Sequence, residues 1–185
     1  MSKFGSSQSV TRFEDTRFLT GSGQYVDDIA PEGALHAFVL RAPMAHGIIT
    51  ELDVEDAKSA PGVRLVLTAA DLAAAGVRNS MRFSTVTNRD GSKGNKSPRT
   101  ILAEDRVRFV GDVVAFVVAE TVQQAKDAAE LIVLDVDDLA VKLDLQPGGE
   151  AIHANAPDNV AYDFGLGDEE ATNAALAAAA HVVTL

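Results

Sequence analysis

Residues 107–120 read VRFVGDVVAFVVAE, two apolar runs broken once, at Gly111-Asp112. The second run, Val113 to Ala119, is short, rich in β-branched residues and apolar at every position, the pattern of a strand covered on both faces. It is the expected central strand. A glycine followed by an acidic residue inside such a pattern marks a bend or bulge, so the two runs read as a strand pair joined there.

Working outward, TVQQAKDAAELI follows directly, with Thr121 and Gln124 spaced as a capping box. Val122, Ala125, Ala128, Ala129 and Ile132 fall on one helical stripe, which should lie on the sheet. IVLDVDDLAVKLDL then alternates as a strand whose acidic residues form a solvent face. Upstream, Leu35 to Ala42 (LHAFVLRA) is apolar on both alternating faces, and GIITELDV follows Pro43 as a second strand. Asp53 is placed to cap a short helix ended by Pro61-Gly62, before the strand VRLVL; Thr68 with Asp71, and then Gly76, bracket the next helix. From Arg78 to Arg99 periodicity is lost and the composition is that of a mobile surface loop. Asp168 is placed to cap EEATNAALAAAA, and the chain finishes on HVVTL, an apolar β-branched run that needs a neighbouring strand.

Composition narrows the function. The 185 residues suit one core, and the net charge of −11 disfavours nucleic acid and anionic membranes as partners. No apolar run is long enough to span a bilayer, and MSKFGSSQSV lacks the apolar stretch of a secretory signal, so a cytoplasmic location is expected. With no cysteine the chain cannot ligate zinc or an iron–sulfur cluster through thiolates, and its four histidines lack helical i, i+4 spacing. GSGQYV at Gly21–Val26 lacks the third glycine of a dinucleotide loop, and GNKS lacks the Gly-Lys-Ser/Thr order of a phosphate loop. The acidic pairs Glu14-Asp15, Asp27-Asp28 and Asp137-Asp138 are adjacent, and adjacent strand residues face opposite ways. An independent hydrolase built on such carboxylates therefore has no convergent site. The arm RFEDTRFLTG interleaves Arg12, Glu14, Asp15 and Arg17 with Phe13, Phe18 and Leu19 outside any clear element; it either tucks onto its own domain or clamps a partner.

Taken together, RFEDTRFLTGSGQYVDD, ALHAFVLRAPMAHGII, PGVRLVLTAADL, ILAEDRVRFVGDVVAFVVAET, AAELIVLDVDDL and AAHVVTL resemble, in order and spacing, the N-terminal part of the molybdenum-containing subunit of the xanthine dehydrogenase, aldehyde oxidase and carbon monoxide dehydrogenase family. The resemblance implies an α+β fold, the α/β-hammerhead, a mixed sheet with short helices packed on it. It further implies an arm over residues 1–34, a hammerhead core over 35–145, a linker wrapped on the core over 146–167, and over 168–185 a helix with a lead-in strand to a molybdopterin-binding domain. By the same resemblance the complete enzyme hydroxylates an aldehyde, N-heterocycle or similar substrate with water, using molybdopterin with molybdenum, a 2Fe-2S cluster and FAD. This chain would hold none of these cofactors and would act as a scaffold. Its partners would be the molybdopterin-binding domains or subunit, the iron–sulfur subunit and the FAD subunit. The candidate interface residues are Arg12, Glu14, Asp15, Arg17, His46, Gly111, Asp112 and His181; no catalytic or metal-binding residue is assigned. The chain departs from the family pattern at Met44, Ile48, Asp112, Val113, Val136 and Ala140. The alternative is a stand-alone assembly module or a non-catalytic remnant.

Overall fold

The computed structural model describes residues 12–81 and 85–184, in two units, Met1–Leu35 and His36–Leu185. In the first unit the arm forms a short helix, α1 (Asp15–Leu19), and a 3₁₀ turn (Val26–Asp28), although its sequence shows no clear element. Local polar closure explains the helix. The Asp15 carboxylate accepts the Arg12 backbone N–H (3.2 Å) at one end, and the Thr20 hydroxyl donates to the Thr16 carbonyl (2.8 Å) at the other. The Phe18 and Tyr25 rings stack at 5.4 Å and 5°, with the Arg17 guanidinium over the Phe18 ring. Neither helical segment buries a side chain.

The second unit contains two three-stranded sheets. β5 (Val113–Ala119) is the centre of the first, flanked by β1 (His36–Arg41) and β3 (Val63–Leu67); β2 (Gly47–Asp53) is the centre of the second, flanked by β4 (Arg106–Val107) and β6 (Val133–Asp138). The fold is α+β, as the resemblance implied. The expected mixed sheet, however, is replaced by two sheets in which every pairing is antiparallel. Parallel neighbours need a crossover within one sheet, whereas here the helices change sheets. α2 (Glu55–Ser59) carries the chain from β2 to β3, and α4 (Val122–Glu130) carries it from β5 to β6, with α3 (Ala69–Ala74) following β3.

β5 serves both cores. Ala115, Val117 and Ala119 face a cluster built with Ala125, Ala128 and Ala129 of α4, together with Val54, Ala57, Val66 and Ile132. Val114 instead joins Ala42, Ala103 and Val107 under the second sheet. The register makes this possible: Leu40 pairs with Ala115 and Arg41 with Val113, so Val114 is skipped and the strand bends there. Gly47 is fixed by close approach, because a Cβ there would sit 2.7 Å from the Asp137 carbonyl oxygen on β6.

Several local expectations change. β1 is only half-buried, because it is an edge strand covered on one face. Val122 is exposed while the three alanines of its helix are buried, so the packed stripe starts one turn later. Val54, not Asp53, is the N-cap of α2; the Asp53 carboxylate still accepts the Glu55 N–H at 2.9 Å. The Thr68–Asp71 capping box of α3 is present. Residues 86–95 form a small hairpin around a Thr87–Lys93 bridge, and bonds from Asn95 N–H to the Ala161 carbonyl (2.7 Å) and from Arg89 N–H to that of Asp163 (2.9 Å) tie it to the 147–163 stretch. α5 (Glu169–Ala177) is capped by Asp168, and residues 181–184 form no strand, having no ladder partner among the described residues.

The alanine contact between α4 and β5 leaves no room for larger groups. Ala128→Leu, nearly neutral in helix propensity, is expected to destabilise the chain by about 1–3 kcal/mol through overpacking, read from denaturant unfolding.

Candidate docking site

The break at Gly111-Asp112 is a tight turn that builds a surface. The Asp112 N–H donates to the Phe109 carbonyl (3.1 Å), and Gly111 takes φ +89°, the left-handed conformation that a type II turn demands at its third position. The turn is anchored to the chain beyond β1. The Arg41 guanidinium donates to the Gly111 carbonyl (2.9 Å), the Gly111 N–H to the Ala42 carbonyl (2.9 Å), and the Ala42 N–H to the Asp112 carbonyl (2.8 Å). Asp112 is buried, with its carboxylate accepting the Arg108 N–H at 3.1 Å.

Beside this turn is an open hollow of about 370 Å³, walled by Ser97–Thr100, Arg108, Phe109, Asp112 and His153. A second hollow of about 540 Å³ shares Ser97 and His153 with it and runs on past Lys142, Asn159 and Tyr162. The Arg99 guanidinium lies 5.5 Å from the centre of the Phe109 ring. The far wall is held by Asn159, which takes φ 60° while its amide donates to the Gly148 (3.0 Å) and Glu150 (2.9 Å) carbonyls.

The interface residues named from sequence fall into separate places. Arg12, Glu14, Asp15 and Arg17 lie together on and beside α1, exposed or half-exposed, with Arg17 paired to Glu14 and Arg12 at 4.0 Å from Asp15. Gly111 and Asp112 form the turn, and His181 is exposed. His46 is 3% exposed. Its Nδ1 lies 2.7 Å from the Ala140 carbonyl and so carries the proton, while its backbone carbonyl accepts the Leu139 N–H (3.0 Å). Its Nε2 is buried and has no hydrogen-bond partner among the described residues. His46 therefore ties the chain just before β2 to residues 139–140, just after β6.

Sequence reasoning missed Arg99, Arg108, Phe109 and His153 as parts of one hollow. Arg99 was absorbed into an aperiodic loop, His153 into a linker, and no spacing rule joins residues whose proximity is made by the 147–163 stretch folding back.

Burial, and secondarily the Arg108 charge, hold the His153 imidazole below its ordinary pKa. The unfolded chain then takes up that proton first, so this group's contribution to stability falls as pH drops from about 6.5 toward the lowered value. In Arg108→Gln, His153 is expected to titrate at a higher pH yet still below the ordinary value, measured by NMR. His46→Ala, which removes a buried hydrogen bond and ring, is expected to lower stability by about 2–4 kcal/mol in denaturant melts.

Residues 20–140 match the family described as aldehyde oxidase and xanthine dehydrogenase, a/b hammerhead domain. The nicotine 6-hydroxylase large subunit of Paenarthrobacter nicotinovorans is 39% identical over 89% of this chain and 20% of that protein. The carbon monoxide dehydrogenase large chain of Hydrogenophaga pseudoflava is 34% identical over 89% of this chain and 21% of its own length. Among solved structures, a Cu,Mo-CO dehydrogenase superposes with a TM-score of 0.69 at 32% identity, covering 93% of this chain and 22% of that one. Quinoline 2-oxidoreductase from Pseudomonas putida 86 gives 0.64 at 39% identity, covering 71% and 16%. The chain thus spans about a fifth of the length of the curated relatives it matches. It belongs to the aldehyde oxidase and xanthine dehydrogenase family, as an a/b hammerhead domain of the kind found in the large subunits of these enzymes.

Proposed function

We propose that this chain is the scaffold part of a molybdenum hydroxylase large subunit, docking the polypeptide regions that carry molybdopterin and the iron–sulfur centre and contributing no catalytic residue. The observation that carries the reading is the apolar surface left in water. Leu143 is 87%, Leu145 98% and Leu166 93% exposed, with Val110, Val183 and Phe164 more than half exposed. Scattered apolar residues are ordinary on a surface, but a domain this small with so many large ones uncovered is one built to be covered.

The chain's own residues offer no evident metal ligand set. The chain has no cysteine for an iron–sulfur cluster, and among the described residues no three His, Asp or Glu side chains gather as a metal site. In this reading molybdopterin, the 2Fe-2S cluster and FAD are carried by partner regions, and hydroxylation of an aldehyde or N-heterocycle belongs to the assembled enzyme. No helix among the described residues is long and apolar enough to cross a membrane, in keeping with the proposed cytoplasmic location.

The tagged chain, expressed in its native host, is expected to co-purify with a molybdenum-bearing polypeptide at a near-equal molar ratio, measured by metal analysis and mass spectrometry. Recovery of the folded chain free of any molybdenum-bearing polypeptide would establish the stand-alone module instead.

A further inference from the structure

The smaller hollow has an unbalanced charge. Arg99 and Arg108 set two guanidinium groups against one carboxylate, Asp112, in a chain that is otherwise strongly acidic. That carboxylate accepts the backbone N–H of Arg108 rather than its side chain. The Arg108 side chain is only 22% exposed, yet among the described residues its polar contacts are the Ile152 carbonyl at 3.4 Å, the Arg106 carbonyl at 3.5 Å and Asp105 at 3.9 Å. These are at or beyond the outer limit of a hydrogen bond. A mostly buried guanidinium has five N–H donors, and donors this poorly used match a carboxylate, which takes two of them at once.

The surroundings choose the carrier of that carboxylate. Phe109 forms part of the wall, and Val110 and Ile101, next in sequence to lining residues, are exposed. A dissolved small anion gains nothing from an apolar rim, whereas a polypeptide covers the rim as its acidic side chain enters. We propose that this hollow is a socket for one carboxylate-bearing side chain, Asp or Glu, presented by the polypeptide region that docks on this face. The inference rests on the docking function above and adds the chemistry of the contact.

The test titrates the chain against the purified molybdenum-bearing polypeptide with which it co-purifies. Arg99→Glu and Arg108→Gln are each expected to weaken association about 30-fold or more, Arg108→Lys to keep part of it, and the wild-type affinity to fall with added salt. Arg99 is exposed, so its reversal leaves the fold intact, and circular dichroism checks the Arg108 variants. In the free chain, N-acetylglutamate amide is expected to shift the NMR signals of Arg99, Arg108 and His153, and N-acetylglutamine amide to leave them in place. Equal association by wild type, Arg99→Glu and Arg108→Gln, or equal response to the two probes, overturns the socket and leaves docking standing. A wild-type chain that binds no molybdenum-bearing polypeptide overturns docking and the socket together.

Discussion

The larger unit is organised by the need to pair β5 along both edges and to cover its faces, one fully at Ala115, Val117 and Ala119 and the other in part, with Val114 buried and Phe116 and Val118 half-buried. Val113–Ala119 offers no polar side chain to water, so its backbone groups must be paired by strands and its two faces must be roofed. β1 and β3 supply the pairing, α4 roofs the face carrying Ala115, Val117 and Ala119, and the second sheet receives Val114. Val114 and Val117 are fully buried, each contributing on the order of 1.5–3 kcal/mol. The skipped register at Val114 lets one strand feed two cores of different orientation.

How much of this was readable beforehand depended on how local the cause was. β5, the alanine stripe of α4, the Thr68–Asp71 cap and the bend at Gly111-Asp112 are set by residues within a few positions of one another, and they stood in the sequence. The division into two sheets was not legible, because nothing in a helix's own residues says whether it returns to the sheet it left. For the same reason β1 was read as doubly covered: its apolar residues do not reveal that it is an edge. The family itself was legible from ordered blocks, while the hollow was invisible because its walls come from three separate stretches, 97–100, 108–112 and His153.

The site and the fold meet at the Gly111-Asp112 turn. The same backbone bonds that hold this turn to Ala42 position Arg108 and Phe109 at the surface, so the rigidity of the central strand is passed to the rim of the hollow. Arg41 reinforces it from the end of β1. The polar walls on the other side depend on Asn159, whose amide closes the 148–159 loop by two hydrogen bonds. A surface assembled in this way is pre-formed, and little of its geometry has to be created when something binds.

α5 is built on the opposite principle. None of its side chains is buried, and nine residues are too few for a helix to be secure in water by propensity alone. Its helicity is therefore lent by one aspartate cap and by the exposed Arg89–Glu169 bridge, which adds little. A molecule that packs against this segment must immobilise it as well as touch it, and the entropy lost there subtracts from the contact energy. The chain thus joins a pre-formed surface at the Gly111-Asp112 turn to a marginal helix at α5, two segments that differ in how much order a contact would have to supply.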